Sequence, residues 1–219
     1  MTTKNYVPRM LILALILLLA APAWAQESKD IVLPERPALA NFDLYTALER
    51  RQTTRKYKTT ELSATDLAAI LWASNGVNRA DGKRTAPSAH GKQYMDVYLL
   101  GPTGNYLYDP LNRKLKFLSA SDLKHKVAVQ EYVALASHIL VLVVDLDKVS
   151  EKAGSNERKL NFGNSTAGAI AQNVYLMSAA KKVGTCLVAN IKEDEIRKGL
   201  GLTKSQIPVY IMPLGYLEK

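Results

Sequence analysis

The chain has one cysteine and three histidines, and no apolar run longer than the twelve residues Met10–Ala21. Each scarcity excludes something. Cys186 cannot close an intrachain disulfide, so the fold must stand on packing alone. Its setting, Thr185-Cys186-Leu187-Val188, is that of a small core residue more than of a nucleophile. His90, His125 and His138 form no pair at metal-ligand spacing and no Cys/His cluster exists, so no metal site is expected. No Gly-x-Gly-x-x-Gly follows a strand and no Gly-x-x-x-x-Gly-Lys occurs, which removes the dinucleotide and P-loop signatures. Acidic residues are also in deficit. Lys and Arg number 29 against 20 Asp and Glu, a net charge of +9. The basic residues are spread out, without a long run or aromatic interleaving. They read as a solvated basic surface with a local anion site, and no nucleic-acid partner is expected.

The N-terminus carries its own address. Lys4 and Arg9 precede the apolar run, and Ala23-Trp24-Ala25 places small residues at −3 and −1 of a cut before Gln26. This is a secretory signal over residues 1–25. The run is short of the ~20 residues that span a bilayer, so no stable membrane insertion is expected after cleavage. An uncleaved anchor is the alternative. Cleavage would leave 194 of the 219 residues and a charge of +7, enough for one domain with a sizeable core. Export places that domain across the inner membrane, in the periplasm.

Residues 26–41, with Pro34 and Pro37, read as an extended lead-in to a single domain over 42–219. Phe42–Arg51 has the spacing of a short amphipathic helix. Ser63 and Asp66 form a capping box for a helix that buries Leu67, Ile70, Leu71 and Ser74 and stops at Gly76. Val77–Ala86 is a polar, basic loop. Met95–Leu100, Asn105–Tyr108 and Lys114–Leu118 alternate with turns as an antiparallel meander. Ser119 or Ser121 is expected to cap a helix over Asp122–Leu135. His138–Asp145 reads as a buried strand, Lys148–Lys159 as a loop or a loose turn of helix, and Asn164–Val183 as a long central helix covered on most sides. A surface helix over Glu193–Gly199 and a strand over Pro208–Leu214 complete the pattern. The class is α+β, with a central antiparallel-rich sheet surrounded by helices.

Three motifs remain. Arg51-Gln-Thr53-Thr-Arg55-Lys-Tyr57 resembles the Arg-x-Ser-x-Arg-x-Phe signature of the nitroreductase-like flavoproteins. Leu71-Trp-Ala-Ser-Asn-Gly76 and Arg84-Thr-Ala-Pro87-Ser88-Ala89 resemble the subgroup that contains peptide thiazoline and oxazoline dehydrogenases. Gly168-Ala-Ile-Ala-Gln172-Asn173-Val-Tyr-Leu176 and Val183-Gly184-Thr185 extend the likeness over roughly residues 42–215. The resemblance implies FMN, held without a covalent bond at a homodimer interface. It places Arg51, Thr53 and Arg55 on the phosphate and ribityl chain. Two guanidinium groups and a hydroxyl suit that task, as charge-assisted donors of fixed geometry. It places Pro87, Ser88 and Ala89 along one side of the ring, where backbone N–H groups can approach a reduced flavin, and Gly184 and Thr185 along the other. Gln172 and Asn173 are polar residues in an apolar helix and must be satisfied where buried.

The chain departs from the pattern at His90, where a glycine is common, and at Gln93, where a proline is common. Many members continue into a basic phosphate contact beyond the last strand, where this sequence has Gly215-Tyr-Leu-Glu-Lys219. The implied activity is two-step redox between a periplasmic donor and a small organic acceptor, with no protein nucleophile needed. His90 is a subsidiary candidate proton donor. A flavin-binding module without turnover and a peptide heterocycle dehydrogenase stay open as alternatives.

Overall fold

A computed structural model describes residues 29–35, 39 and 42–218. The expected signal over 1–25 and most of the lead-in lie outside the described residues.

Among the described residues, seven strands form one sheet in the order β1-β4-β3-β2-β5-β7-β6. They are β1 Ile31–Val32, β2 Met95–Gly101, β3 Gly104–Asp109, β4 Lys114–Ser119, β5 His138–Asp145, β6 Val183–Thr185 and β7 Gln206–Tyr216. Every neighbouring pair is antiparallel. The helices are α1 Leu44–Arg50, α2 Ala64–Asn75, α3 Glu131–Leu135, α4 Asn156–Lys181 and α5 Glu193–Leu200. This is the α+β architecture that the sequence predicts.

The strand period of two builds two cores. Leu140, Leu142 and Val144 of β5 enter one with Val97 and Leu99 of β2 and with α2 and α4. Ile139, Val141 and Val143 enter the other with Tyr98, Leu100, Leu123, Val127 and Ile196. All eight residues of β5 are buried. A sheet covered on both faces is more typical of parallel folds, and it explains why β5 is apolar without alternation.

Local signals account for the helices that were legible. Asp43 caps α1 by accepting from Thr46 N–H at 2.8 Å, and Ser63 caps α2 by accepting from Asp66 N–H at 3.1 Å. The reciprocal half of the capping box is rerouted. Ser63 N–H donates to Tyr216 Oη, and Asp66 Oδ2 accepts from Tyr216 at 2.7 Å and from Ser63 Oγ at 3.0 Å. Lys181 Nζ lies 3.2 Å from Asp66 Oδ1. Burial alone would raise the Asp66 pKa, but these three donors outweigh it and lower it. One carboxylate thus ties the start of α2, the end of α4 and β7 together.

Two expectations are corrected. Asp122–Leu135 is not one helix, since only Glu131–Leu135 is helical. Ser119 and Ser121 do not cap it, because their hydroxyls face each other and the buried Asn105 amide at 2.9–3.2 Å. The chain between pairs with the 191–192 segment, through the Ala128–Ile191 bridge and Lys192 N–H donating to Val127 O. The long helix starts at Asn156, eight residues before the expected Asn164, capped by Ser155 on Arg158 N–H at 3.2 Å. Its charged first turn is held by Lys159, 2.9 Å from Glu151.

Gly163 sets how closely α4 approaches β5. A Cβ there would lie 2.7 Å from Val144 Cγ1 and closer still to Cγ2. In an open helix, Gly→Ala stabilises by about 1 kcal/mol. Overpacking costs about 1–3 kcal/mol and should win here. Urea denaturation of Gly163→Ala is expected to show a net loss of stability, and adding Val144→Ala should recover part of it. A stabilised Gly163→Ala would show that α4 is free to shift off the sheet.

Candidate functional site

Residues 51–58 cross the β6–β7 edge as an extended strap. Thr54 N–H donates to Thr185 O at 2.9 Å, Lys58 N–H donates to Tyr216 O at 2.9 Å, and Tyr57 bridges Leu217. Two glycines permit this approach. A Cβ on Gly184 would sit 2.9 Å from Thr54 Cγ2, and one on Gly215 would sit 2.8 Å from Tyr57 Cβ. The strap therefore brings Arg51, Thr53 and Arg55 beside Gly184 and Thr185. Thr53 and Arg55 are exposed and Arg51 is partly so.

Three tyrosines hold the strap from below. The Arg51 guanidinium lies 5.3 Å from the centre of the Tyr175 ring, and that of Arg55 lies 5.7 Å from Tyr132, both within cation–π reach. Tyr175 Oη accepts from Leu187 N–H at 2.7 Å and is 3.5 Å from Thr53 Oγ1. Hydrogen bonding to Tyr132 holds Arg55 further in its charged form. Tyr57 donates to Thr54 O at 2.8 Å. Cys186 Sγ lies between Tyr57 Oη at 3.9 Å and Tyr132 Oη at 3.8 Å. Burial first, then Cys186, pushes the Tyr57 phenol well above its ordinary range, and burial raises Tyr132. Both phenols stay neutral at ordinary pH. Neither Arg51 nor Arg55 has a carboxylate partner among the described residues. Thr185 Oγ1 is buried without a hydrogen-bond partner among the described residues.

The second set lies elsewhere on the same chain. Pro87, Ser88 and Ala89 line a recess of about 320 Å³ with Tyr94, Phe162 and Thr166. Ala89 N–H is already bonded to Tyr94 Oη at 2.9 Å, which leaves Ser88 N–H as the donor without a partner among the described residues. His90 is exposed at φ +55, edge-on to Phe162. On α4, Thr166 marks this set and Tyr175 marks the first. Nine helical residues separate them by about 13 Å. Gln172 is exposed, and Asn173 Nδ2 donates to Thr85 O at 3.3 Å. Among the described residues no group of three His, Cys, Asp or Glu can hold a metal, and no helix is long and apolar enough to cross a membrane.

The pattern of the nitroreductase family matches residues 48–216, from the end of α1 through the strap to the last residue of β7. The chain belongs to the nitroreductase family. A "putative nitroreductase" of Methanocaldococcus jannaschii is 27% identical over 199 residues, covering 86% of this chain and 97% of its own. The crystal structure of a "putative nitroreductase" from Ralstonia eutropha JMP134 is 30% identical with a TM-score of 0.81, covering 87% of this chain and 90% of that one. The Escherichia coli microcin synthetase McbBCD complex matches at a TM-score of 0.64 and 15% identity, covering 86% of this chain and 78% of that one, a likeness of fold alone.

Nitroreductase-family proteins are typically flavin-dependent oxidoreductases and commonly bind FMN. The donors here suit such a group: two guanidinium groups without a carboxylate partner among the described residues, an exposed hydroxyl, and a buried threonine hydroxyl with no partner among the same residues. Sequence reasoning missed Tyr132 and Tyr175. Tyr175 sits inside the quoted helical motif, and its spacing from the strap is set only by the fold. Removing its hydroxyl deprives Leu187 N–H of an acceptor, a loss of about 0.5–1.5 kcal/mol. Tyr175→Phe should lower stability by that amount in urea and speed hydrogen exchange at Leu187. Unchanged exchange would show that the hydroxyl does not anchor the turn.

Proposed function

We propose that this protein is an FMN-dependent oxidoreductase that works as a homodimer in the periplasm. The observation that carries the proposal is the strap, which presents Arg51, Thr53 and Arg55 beside Gly184-Thr185 with no carboxylate partner for either arginine among the described residues. The guanidinium groups would hold the phosphate by charge-assisted hydrogen bonds, and Thr53 would reach the ribityl chain. FMN supplies the electron- or hydride-accepting chemistry when bound. Pro87 stiffens the second segment and Ser88 N–H is its donor, while His90 adjoins it as a residue able to hold a proton at its ring nitrogens. The ~13 Å between the two sets along α4 favours a site completed by a second copy. The export signal supports a periplasmic setting. There a small reductant or a protein electron partner replaces the mainly cytoplasmic nicotinamides as donor to a small organic acceptor. The likeness to the microcin synthetase complex is one of fold, which by itself names no substrate.

The flavin is checked by the visible spectrum of the mature protein and by anaerobic reduction with candidate donors. FMN that binds but accepts electrons from none of them would make the protein a flavin-binding module. Arg55→Ala removes a contact worth about 1.5–3 kcal/mol, a roughly ten- to hundredfold loss of FMN affinity. Riboflavin lacks the phosphate and should bind the variant and the parent alike. If both flavins weaken equally, Arg55 supports the fold and does not grip the phosphate. Sedimentation of the flavin-loaded protein at micromolar concentration should give a dimer with an interface above ~1,000 Å², and a monomer that keeps its flavin would overturn the shared site.

A further inference from the structure

The loop between α2 and the Pro87 segment is a built structure. Val77 bridges Arg84, and Asn78 N–H donates to Lys83 O at 3.1 Å. Gly82 N–H donates to Arg79 O at 3.1 Å, with Gly82 at φ +76, a backbone angle that suits glycine. The base is pinned to α2, since Trp72 Nε1 donates to Val77 O at 2.9 Å, Thr85 N–H to Gly76 O at 2.9 Å and Thr85 Oγ1 to Trp72 O at 3.2 Å. This small hairpin turns Arg79, Lys83 and Arg84 toward one recess of about 250 Å³, which Ser88, Gly91 and Gln93 also line.

The charges in this recess are not balanced from within. Asp81 lies 3.5 Å from Arg79 and 3.3 Å from Lys83, one carboxylate for three cations. Arg84 Nε and Nη1 are buried and have no hydrogen-bond partner among the described residues. Asp109, the acidic side chain that acts on Arg84, is itself occupied by Lys116 at 2.9 Å and by Asn112 at 2.9 Å. A buried guanidinium remains charged and is costly to leave without acceptors. A carboxylate or phosphate offers paired oxygens that match its fork, and Ser88 and Gln93 add neutral donors.

We propose that the recess lined by Arg79, Lys83 and Arg84 binds the carboxylate or phosphate group of a small organic anion, separately from the Arg51–Arg55 strap. This site stands whether or not the flavin proposal holds. If that proposal holds, the recess adjoins the Pro87-Ser88 side of the ring and selects acidic substrates.

The test is calorimetric titration of the purified mature protein against inorganic phosphate and against succinate, with FMN in excess so that a flavin phosphate already occupies the strap. Preference for one probe assigns the phosphate or the carboxylate chemistry. Saturable binding with Kd at or below about 1 mM is expected for at least one probe, weakened about tenfold or more in Arg84→Gln and in Lys83→Gln. Lys83 is more than half exposed, so its variant carries the test if Arg84→Gln does not fold. Arg55→Ala should leave the affinity within about twofold. No saturation by about 20 mM of either probe, or affinity unchanged in Lys83→Gln, would overturn the proposal. Loss of binding in Arg55→Ala would place the anion on the strap, which sinks this site while supporting the other.

Discussion

Burial of both faces of β5 is the constraint on which the rest of the structure depends. A strand with eight buried residues can only exist with two covering layers, because neither face can meet water. One layer is α4 with α2, brought close by Gly163 against Val144. The other is thinner, made of α5, the short α3 and the irregular 119–130 segment with Leu123 and Val127. That segment has apolar residues to bury but pairs its backbone with residues 191–192, so it covers the sheet without becoming a helix.

With both faces filled, polar chemistry is driven to the edges. The β6 edge is closed by the strap, whose backbone takes up the groups that β6 and the end of β7 leave free. Closing an edge this way satisfies the ladder and removes a place where another strand could add. It also leaves Thr53 and Arg55 exposed and Arg51 partly so, while Tyr57 is buried against the protein. The phenols of Tyr57, Tyr132 and Tyr175 then supply what a purely apolar floor would not, hydroxyl partners and ring faces for two cations. Among the described residues no carboxylate pairs with either arginine.

The sequence made most of the sheet legible and much of the site. The strands β2 to β5 and β7 were readable because turns of Gly, Pro and Asp separate them and their apolar content is high. The strap motif, Pro87-Ser88-Ala89 and Gly184-Thr185 were visible as segments. What was not legible is long-range. β1 is two residues long and exists only because β4 offers an edge. Val183–Thr185 is too short to register as a strand and is defined by its pairing with β7. The first turns of α4 are charged and read as a loop, although Ser155 three residues before Arg158 was a usable cap signal. The helix expected over 122–135 failed because Asn105, sixteen residues upstream of Ser121, competes for the serines. Tyr132 and Tyr175 could not be assigned to the strap from one sequence, since Tyr132 is 54 positions from Cys186 and Tyr175 is 122 positions from Thr53.

Two positively charged places result, and they are built by different physics. On the strap the cations are held from outside, by aromatic rings that belong to remote elements, so their geometry depends on the whole fold being assembled. In the 77–84 hairpin the cations are held by local backbone bonds and by one turn of α2. Gly76 illustrates the difference. It ends α2 at φ −73, not in the left-handed region, and a Cβ there would collide with Trp72 Cα at 2.8 Å. Its absent side chain lets the chain fold back across Trp72, so that Trp72 meets Val77 and Thr85 at once. A local device of this kind holds the half-buried Arg84 independently of the sheet edge, because its supports lie within twelve residues of it along the chain. The strap has no such independence. Loosening the β6–β7 edge would separate Arg51 and Arg55 from Gly184 and Thr185 while leaving the hairpin as it is.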